Sequence, residues 1–386
     1  MAFDNEVRPF KVAIPEADLV DLRERLGRTR WPDQLPNAGW AYGVPLRYLK
    51  DLVEFWRTSY DWRQQEARLN RWPQFTTTID GTNVHFIHVR SPEPDALPLM
   101  MTHGWPGSIV EFLDIIGPLT DPRAHGGDPA DAFHLVCPSI PGFGFSGPTP
   151  EKGWHVRRIA AALGTLMQRL GYERFGAQGG DWGSAIARHL AVLEPERLLG
   201  IHVTLVTPPP KNPDEMSDLN DAEKKKVERV SQWMTEQSGY GWIQGSRPQT
   251  LAYGLADSPA GQLAWIVEKF KEWTDSRDVP EDAVARDDIL TNVMLYWLTN
   301  TAGSSARIYY ETSHAGLGWG SEVTATTVPM GVAVFPKDAP AIRKLAVRTN
   351  NKIVQWSEFD RGGHFAALEQ PDLLVHNVRR FFRWFR

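Results

Sequence analysis

The sequence predicts an α/β fold, in which a mostly parallel central sheet is flanked by helices and carries a helical lid insertion and an N-terminal extension. From about residue 96 onward, short apolar runs alternate with stretches of helical periodicity, the pattern of strands joined by crossover helices. The alternation stops at 207–325, a segment that opens with prolines and becomes mostly helical. We therefore divide the chain of 386 residues into an extension (1–95), a core in two parts (96–206 and 326–386) and a lid (207–325).

The N-terminal extension is predicted to hold two helices and a β-hairpin. Leucines recur at helical spacing within residues 14–27, and Pro15 suits the first turn of a helix. Residues 46–69 are predicted to form one longer helix with an apolar stripe. Asp80 and Gly81 form a turn signal, and the residues after them alternate as in a strand. We expect the extension to clamp the lid, with a dimer contact as the alternative.

Six apolar runs of the core are predicted to be strands: "LPLMMTHGW", "FHLVCPSI", "RFGAQGGD", "LLGIHVTL", "VPMGVAVF" and "KIVQWSEF". In open parallel sheets, ligands bind beyond the carboxyl ends of the strands. Loops 103–108, 178–184 and 361–366 follow three different runs, and each places glycine beside a reactive or positioning residue. We therefore expect these three loops to meet at one site.

Composition and charge exclude several classes of protein. The formal net charge is −5 with no basic block, so neither nucleic acid nor an anionic membrane is expected as a partner. There is neither an N-terminal signal region nor an apolar run of about 18 residues, so we expect a soluble, cytoplasmic protein. The single cysteine, Cys137, lies in an apolar run and is interpreted as a buried structural thiol. Because metal-ligand spacings and phosphate-binding loops are absent from the sequence, we expect no metal and no organic cofactor.

The segment "GAQGGDWGSAIARHL" (176–190) has the layout of a catalytic elbow, in which a strand turns through glycines into a helix. Its central residue is Asp181, where serine is usual. A helix N-cap is the structural alternative, but a cap does not require small neighbours on both sides. A carboxylate that attacks an sp3 carbon leaves an ester that water can hydrolyse, whereas serine would leave an ether. Asp181 therefore indicates an alkylating substrate, either an epoxide or an alkyl halide.

Hydrolysis of such an ester needs a general base, and a neutral histidine suits that work near neutral pH. His364 lies on a glycine-flanked loop after the last apolar run, downstream of the elbow, and is the candidate base. Asp338, at the end of the preceding predicted strand, is the candidate carboxylate that orients it. Glu358 and Asp360 are the alternatives for that role.

Attack of water on the ester would create an oxyanion, which two backbone N–H groups should receive. The first is that of Trp182, which follows the nucleophile, and the second is expected from Trp105 in "HGWP". Pro106 has no N–H and stiffens this loop. His103 is interpreted as a structural residue that positions the loop rather than as a catalyst.

Opening of an epoxide also needs an acid, because an alkoxide is a poor leaving group, whereas halide displacement needs none. Tyrosine suits this role, since it is neutral at pH 7 and donates a strong hydrogen bond. The lid holds several tyrosines, among which these physical arguments do not choose: Tyr240, Tyr253, Tyr296, Tyr309 and Tyr310.

Taken together, these motifs resemble those of the microsomal-type epoxide hydrolases of the alpha/beta-hydrolase fold, and the resemblance covers nearly the whole chain. It includes an N-terminal epoxide-hydrolase segment with "RWPDQ", "YDWRQQEARLN" and "HFIHVRS", followed by "HGWPGS", "PSIPGFGFS", "GGDWGS", "LTNVMLYW", "RIYYE" and "RGGHFAALE". The resemblance implies a hydrolase acting on ether bonds, which converts an epoxide to a vicinal diol through a covalent aspartyl ester.

The resemblance also implies a role for each matching residue. Asp181 matches the nucleophile, His364 the charge-relay histidine and Asp338 its acid. Tyr240 and Tyr309 match the two ring-opening tyrosines, with Tyr310 as the rival of its neighbour. We expect the substrate to contact Trp105, Trp182, Tyr240 and Tyr309.

Relatives in membranes carry an apolar anchor ahead of the segment with which this sequence starts, so the resemblance favours a soluble bacterial-type member. Such an enzyme would serve detoxification or natural-product biosynthesis, with an apolar or aromatic epoxide as substrate, and a homodimer is left open.

Two alternative functions remain. A haloalkane dehalogenase would share the Asp, the His and the Trp after the nucleophile, but would not need the tyrosine pair. A non-catalytic hydrolase-fold ligand-binding protein would not need His364 and Asp338 together.

Overall fold

The computed structural model of the chain describes residues 6–318, 321 and 324–386. The strands within these ranges are β1 (Arg8–Phe10), β2 (Gln74–Ile79), β3 (Thr82–Val89), β4 (Leu97–Thr102), β5 (Phe133–Pro138), β6 (Phe175–Gly179), β7 (Leu198–Val203), β8 (Met330–Val334) and β9 (Ile353–Glu358). They form one sheet in the order β1-β2-β3-β5-β4-β6-β7-β8-β9. The pairs that involve β1, β2 and β3 are antiparallel and all the others are parallel, as predicted. The six predicted core strands are confirmed as β4 to β9.

The helices are α1 (Glu16–Gly27), α2 (Leu46–Thr58), α3 (Trp62–Leu69), α4 (Leu113–Thr120), α5 (Val156–Arg169), α6 (Asp181–Leu193), α7 (Pro213–Ser217), α8 (Asp221–Glu236), α9 (Gly239–Ser246), α10 (Pro248–Asp257), α11 (Pro259–Trp273), α12 (Arg286–Leu298), α13 (Ala302–His314), α14 (Arg343–Ala346), α15 (Ala366–Glu369) and α16 (Pro371–Phe382). Helices α7 to α13 all lie between β7 and β8, where the rhythm of the sequence breaks. Residues 1–5 of the predicted extension, and 319–320 and 322–323 of the predicted lid, lie outside the described residues. In the part of the chain that is described, no helix has the length and apolarity to cross a membrane.

The extension differs from its prediction at one place. The single helix predicted over 46–69 is wrong, because the chain forms α2 and α3 with a break at residues 59–61. Asp61 is extended there, and its side chain accepts the backbone N–H of Gln64, which starts a new helix instead of continuing the old one. The predicted hairpin is confirmed, since β2 pairs antiparallel with β3. Asp80 and Gly81 both have a positive φ, as a tight hairpin turn requires.

The extension packs against the helices that follow β7. The Trp56 indole N–H points at the Met294 sulfur at 3.2 Å, and the Tyr60 hydroxyl lies 2.9 Å from that of Thr291. Arg68 forms an ion pair with Asp288 on the same helix, α12. These contacts join the α2–α3 region to α12.

The sheet brings two of the expected loops together through the pairing of β4 with β6. Thr102 pairs with Gly179, so loop 103–108 leaves the sheet beside the elbow. The close approach of these loops also requires glycine at position 183, because a Cβ there would lie 1.9 Å from the Thr102 carbonyl oxygen. The third loop, 361–366, is bonded to the helices that follow β7, since the backbone N–H of His364 donates to the Trp273 carbonyl at the end of α11.

Candidate active site

Asp181 is the first residue of α6 and has a φ of +47°, a left-handed conformation that is uncommon for a residue with a side chain. The N-cap of α6 is Gly180, so the structural alternative for Asp181, a helix N-cap, is excluded. Its Oδ1 instead accepts the backbone N–H of Trp105 at 2.8 Å, and its carboxylate also accepts that of Trp182. The elbow therefore aims the carboxylate at the two N–H groups predicted to form the oxyanion site.

His364 stands between two carboxylates. Its Nδ1 lies 2.7 Å from Oδ1 of Asp338, and its Nε2 lies 3.7 Å from Oδ2 of Asp181. The side chains of Asp181, His364 and Asp338 are only 15%, 9% and 3% exposed. The short contact indicates that Nδ1–H donates to Asp338, which leaves Nε2 directed toward Asp181.

The two alternative acids lie elsewhere. Glu358 accepts the indole N–H of Trp356 at 2.9 Å and faces Lys226 at 3.5 Å. The side chain of Asp360 is 90% exposed beside Arg361. Among the described residues, Asp338 is therefore the carboxylate that contacts His364 through Nδ1.

Two tyrosines from the insertion reach this site. The Tyr240 ring stacks on Trp105 with a centroid distance of 5.0 Å and an interplanar angle of 7°. Tyr309 meets the Trp182 ring edge-on at 4.9 Å. The rings of the two tyrosines are 5.8 Å apart, and their side chains are hydrogen-bonded to each other. The geometry thus brings Tyr240 and Tyr309 together against Trp105 and Trp182, the two residues whose backbone N–H groups bind Asp181.

The other tyrosines of the insertion have different surroundings. The Tyr310 ring stacks on His314 at 3.8 Å, on the same helix as Tyr309. Tyr296 is buried and donates its hydroxyl to the Gly107 carbonyl at 2.6 Å, which supports the loop after β4. Tyr253 is 71% exposed. Of the two adjacent candidates, Tyr309 is the one whose ring contacts Trp105 and Trp182.

Two further residues singled out in the sequence, His103 and Cys137, are buried. The Nδ1–H of His103 donates to its neighbour's carbonyl at 3.0 Å, and its Nε2 accepts the N–H of Ile140 at 3.2 Å. Burial lowers the pKa of His103 to about 4, so the ring is neutral and ties the loop together, as predicted. Cys137 is also buried, as expected of a structural thiol.

The buried charges affect the His364–Asp181 side of the site and the tyrosine side differently. Burial opposes the charged form of His364, but Asp338, Asp181 and Glu111 outweigh it and raise the pKa of His364 to about 9. Burial raises the pKa of Asp181, against the opposing effects of His364 and the two backbone N–H groups. Burial also raises the pKa of both Tyr240 and Tyr309, and the charge of Asp181 raises it further. Both tyrosines are therefore neutral hydrogen-bond donors at pH 7.

Sequence reasoning missed Glu111 and Trp273. Glu111 lies in a 3-10 turn after "HGWPGS", and its Oε1 is 1.7 Å from the position of the Cβ that Gly107 lacks. Burial raises the pKa of Glu111 to about 8, His364 opposes this, and Asp181 adds to it. Trp273 places its ring 4.8 Å from His364 and 5.3 Å from Tyr240. The only signal in the sequence was the position of Glu111 next to a recognised motif, whereas nothing marked one tryptophan among 16.

Two family models match overlapping parts of the chain. The model described as "Epoxide hydrolase N terminus" matches residues 7–112. The model described as "alpha/beta hydrolase fold" matches residues 98–241.

Curated relatives match over nearly the whole length. A protein of Stigmatella aurantiaca named "Putative epoxide hydrolase" is 50% identical over 382 residues, which cover 98% of this chain and 86% of that protein. "Epoxide hydrolase 1" of Sus scrofa is 37% identical over 405 residues, covering 98% of this chain and 89% of that protein.

Solved structures are similar over the same extent. The crystal structure of juvenile hormone epoxide hydrolase from the silkworm Bombyx mori matches with a TM-score of 0.90 at 29% identity, covering 100% of this chain and 96% of that chain. The Aspergillus niger epoxide hydrolase matches with a TM-score of 0.87 at 33% identity, covering 100% of this chain and 98% of that chain. With family models, curated relatives and solved structures that agree over nearly the whole chain, the chain belongs to the epoxide hydrolase family of the alpha/beta-hydrolase fold, and is an enzyme.

Proposed function

We propose that this enzyme converts an epoxide to a vicinal diol through a covalent ester on Asp181. The observation that carries the proposal is a buried carboxylate at the elbow that faces two buried tyrosines on one side and a His–Asp pair on the other. A haloalkane dehalogenase would have no use for paired tyrosine donors, so this arrangement favours the epoxide over the halide. A ligand-binding protein would have no use for a histidine held between Asp338 and Asp181.

The first step is ring opening. With the pKa of His364 at about 9, the imidazole is protonated at neutral pH, and its positive charge favours the carboxylate form of Asp181. Asp181 attacks one ring carbon, a C–O bond to the carboxylate forms, and the C–O bond of the epoxide breaks. The released alkoxide takes a proton from the Tyr240–Tyr309 pair. The imidazolium then returns a proton to the tyrosines, directly or through water, and the base becomes neutral.

The second step is hydrolysis of the ester. Esterification removes the charge of Asp181, which is one of the charges that raise the pKa of His364. The imidazole is thus a base in the ester form of the enzyme, although it is protonated in the resting enzyme. Water loses a proton to Nε2 of His364 and attacks the ester carbonyl, while the N–H groups of Trp105 and Trp182 stabilise the oxyanion. Collapse of this intermediate breaks its bond to the alkyl oxygen, which takes the proton of the added hydroxyl, so that the diol leaves and Asp181 is again a carboxylate beside the imidazolium.

We further propose that residues 207–325 act as a lid that supplies the acid, because Tyr240 and Tyr309 both belong to it. The walls of the site support an apolar or aromatic epoxide as the substrate. They consist of the rings of Trp105, Trp182 and Trp273 together with the two tyrosines. Such walls leave the Asp181 carboxylate and the tyrosine hydroxyls as the groups that orient the epoxide.

A single turnover in oxygen-18 water tests the ester. Excess enzyme is mixed with a simple aryl epoxide, and the diol and the peptide that contains Asp181 are analysed by mass spectrometry. We expect unlabelled diol and a labelled Asp181, because water attacks the ester carbonyl rather than the substrate carbon. Label in the diol of the first turnover would overturn the proposal, since water would then attack the epoxide directly.

A further inference from the structure

A buried lysine lies behind one of the two tyrosines. Lys269, on α11, is only 2% exposed. Its ammonium group donates to Glu272 at 2.9 Å and to Glu268 at 3.2 Å. A buried charge is costly unless it is paired, and lysine is rarely buried to this extent. The pairs explain how the charge is tolerated, but they do not explain why a charge is placed there.

The surroundings of the ammonium group include the proposed ring-opening acid. Nζ of Lys269 lies 4.9 Å from the centroid of the Tyr240 ring and 5.6 Å from that of Trp273. At such distances the negative electrostatic potential of the ring face attracts a cation. Tyr240 in turn stacks on Trp105, whose backbone N–H binds Asp181. The lysine therefore belongs to the aromatic packing that places the tyrosine over the nucleophile.

The charges of this cluster also act on the tyrosine hydroxyl. Besides burial and Asp181, the charge of Glu272 raises the pKa of Tyr240. Negative charge increases on the phenol oxygen when it gives up its proton, so unbalanced glutamates would oppose ring opening. Lys269 is the cation that pairs with both Glu272 and Glu268. It thereby offsets negative charge that would otherwise act on the acid.

We infer that Lys269 is a positioning residue for ring opening, which holds the Tyr240 ring in place and balances the glutamate charges beside it. This inference rests on the proposed function, in particular on Tyr240 as an acid. A lysine that only stabilised α11 would affect both half-reactions alike. A lysine that acts through Tyr240 affects only formation of the ester, and only while the tyrosine hydroxyl is present.

The test separates the two half-reactions with Lys269→Met, which keeps an unbranched side chain only one atom shorter and removes its charge. Styrene oxide is mixed with excess enzyme in a stopped-flow instrument, and tryptophan fluorescence follows formation and hydrolysis of the ester. We expect ester formation to slow by about tenfold and hydrolysis to change by less than about twofold. Lys271→Met, two residues along the same helix, is the matched control and is expected to leave both phases unchanged. Equal slowing of both phases by Lys269→Met would overturn the inference.

A double-mutant cycle with Tyr240→Phe shows whether the lysine acts through the tyrosine. We expect Lys269→Met to cause no further slowing in the Tyr240→Phe background. The same slowing in both backgrounds would overturn the role of Lys269 while leaving that of Tyr240 intact. Ring opening at the wild-type rate in Tyr240→Phe alone would instead overturn the acid role of Tyr240.

Glu272→Gln provides a second readout that does not require removal of the buried lysine. This change removes a negative charge beside Tyr240 and keeps an oxygen that accepts from Lys269. We expect ester formation to proceed at least as fast as in the wild type. Slower ester formation in a variant with an unchanged unfolding midpoint would contradict the charge-balancing role.

Discussion

The core loops and the helices after β7 build the two sides of this site in different ways. Asp181 and Asp338 follow strands of the sheet, and their side chains are held by bonds of 2.7–2.8 Å to Trp105 and His364. Tyr240 and Tyr309 lie on α9 and α13, and are held by ring packing at 4.9–5.8 Å and a hydrogen bond to each other. Directed hydrogen bonds hold the proposed nucleophile and base, whereas aromatic contacts hold the proposed acid. Changes on the sheet side should therefore abolish chemistry, and changes on the other side should weaken it.

Removal of the nucleophile should have the largest effect. We expect Asp181→Ala to reduce kcat/KM for diol formation from an aryl epoxide by about 10⁴-fold or more, because neither the ester nor its carbonyl can form. Steady-state diol formation measures the loss. Asp360→Asn, which alters an exposed carboxylate near the His364 loop, should keep wild-type activity. Substantial diol formation by Asp181→Ala would contradict the role of Asp181.

Removal of the proposed base, His364, should allow the ester to form but slow its hydrolysis. We expect His364→Gln to form the ester and then hydrolyse it about 10³-fold more slowly, because no group remains to deprotonate water. Intact-protein mass spectrometry after mixing with the epoxide should show an adduct of the mass of the substrate. Turnover at the wild-type rate would show that His364 is not the base.

The adjacent tyrosines of α13 sharpen the comparison on the side of the acid. We expect Tyr309→Phe to slow ester formation by about 10²-fold, since it removes one of two donors to the developing alkoxide. Tyr310→Phe is the matched control and should be close to the wild type, because that ring stacks on His314. Stopped-flow measurement of the ester-forming phase distinguishes the two. The reverse ranking would assign the acid to Tyr310.

The pH dependence of hydrolysis tests how the two sides are coupled. The pKa of His364 is about 9 in the resting enzyme, partly because of the charge of Asp181, which the ester lacks. Hydrolysis needs the neutral imidazole, so its rate should rise with pH and then level off. The midpoint of this rise reports the pKa of His364 in the ester form, which we expect to lie below about 9. Single-turnover rates of the hydrolysis phase between about pH 5 and pH 10 measure this. A midpoint at or above that of the resting enzyme would contradict an electrostatic effect of Asp181 on the base.

The smallest effect should come from Glu111. Its pKa is raised from 4.5 to about 8 in the folded protein, so between these values the folded state binds more protons than the unfolded state. Its contribution to stability is therefore present at low pH and is lost as the pH rises toward about 8. Relative to wild type, Glu111→Gln should gain stability on the order of 1 kcal/mol or more between pH 5 and pH 8. Urea denaturation at several pH values measures this, and a constant difference between the two proteins would show that Glu111 does not titrate in that range.

Much of the fold and of the sheet side of the site could be predicted because its signals are local. The six core strands, the hairpin turn at Asp80 and Gly81 and the elbow at Asp181 each depend on residues adjacent in sequence. The one wrong prediction, a single helix over 46–69, also concerns a local signal, but one that was overlooked. Its apolar spacing continues through the break, and the cap at Asp61 that starts α3 was not recognised.

The sequence by itself determined the order of the core strands along the chain, the loops at their carboxyl ends and a carboxylate in place of serine at the elbow. Tertiary structure decided which acid meets His364, which of two adjacent tyrosines contacts Trp182, and that Glu111, Trp273 and Lys269 surround the site. These choices depend on contacts between segments that are distant along the chain, as between Tyr240 and Trp105. A strand or turn is specified by the spacing of neighbouring residues, whereas the pKa of a buried group and the partner of a ring depend on which segments the fold packs against them.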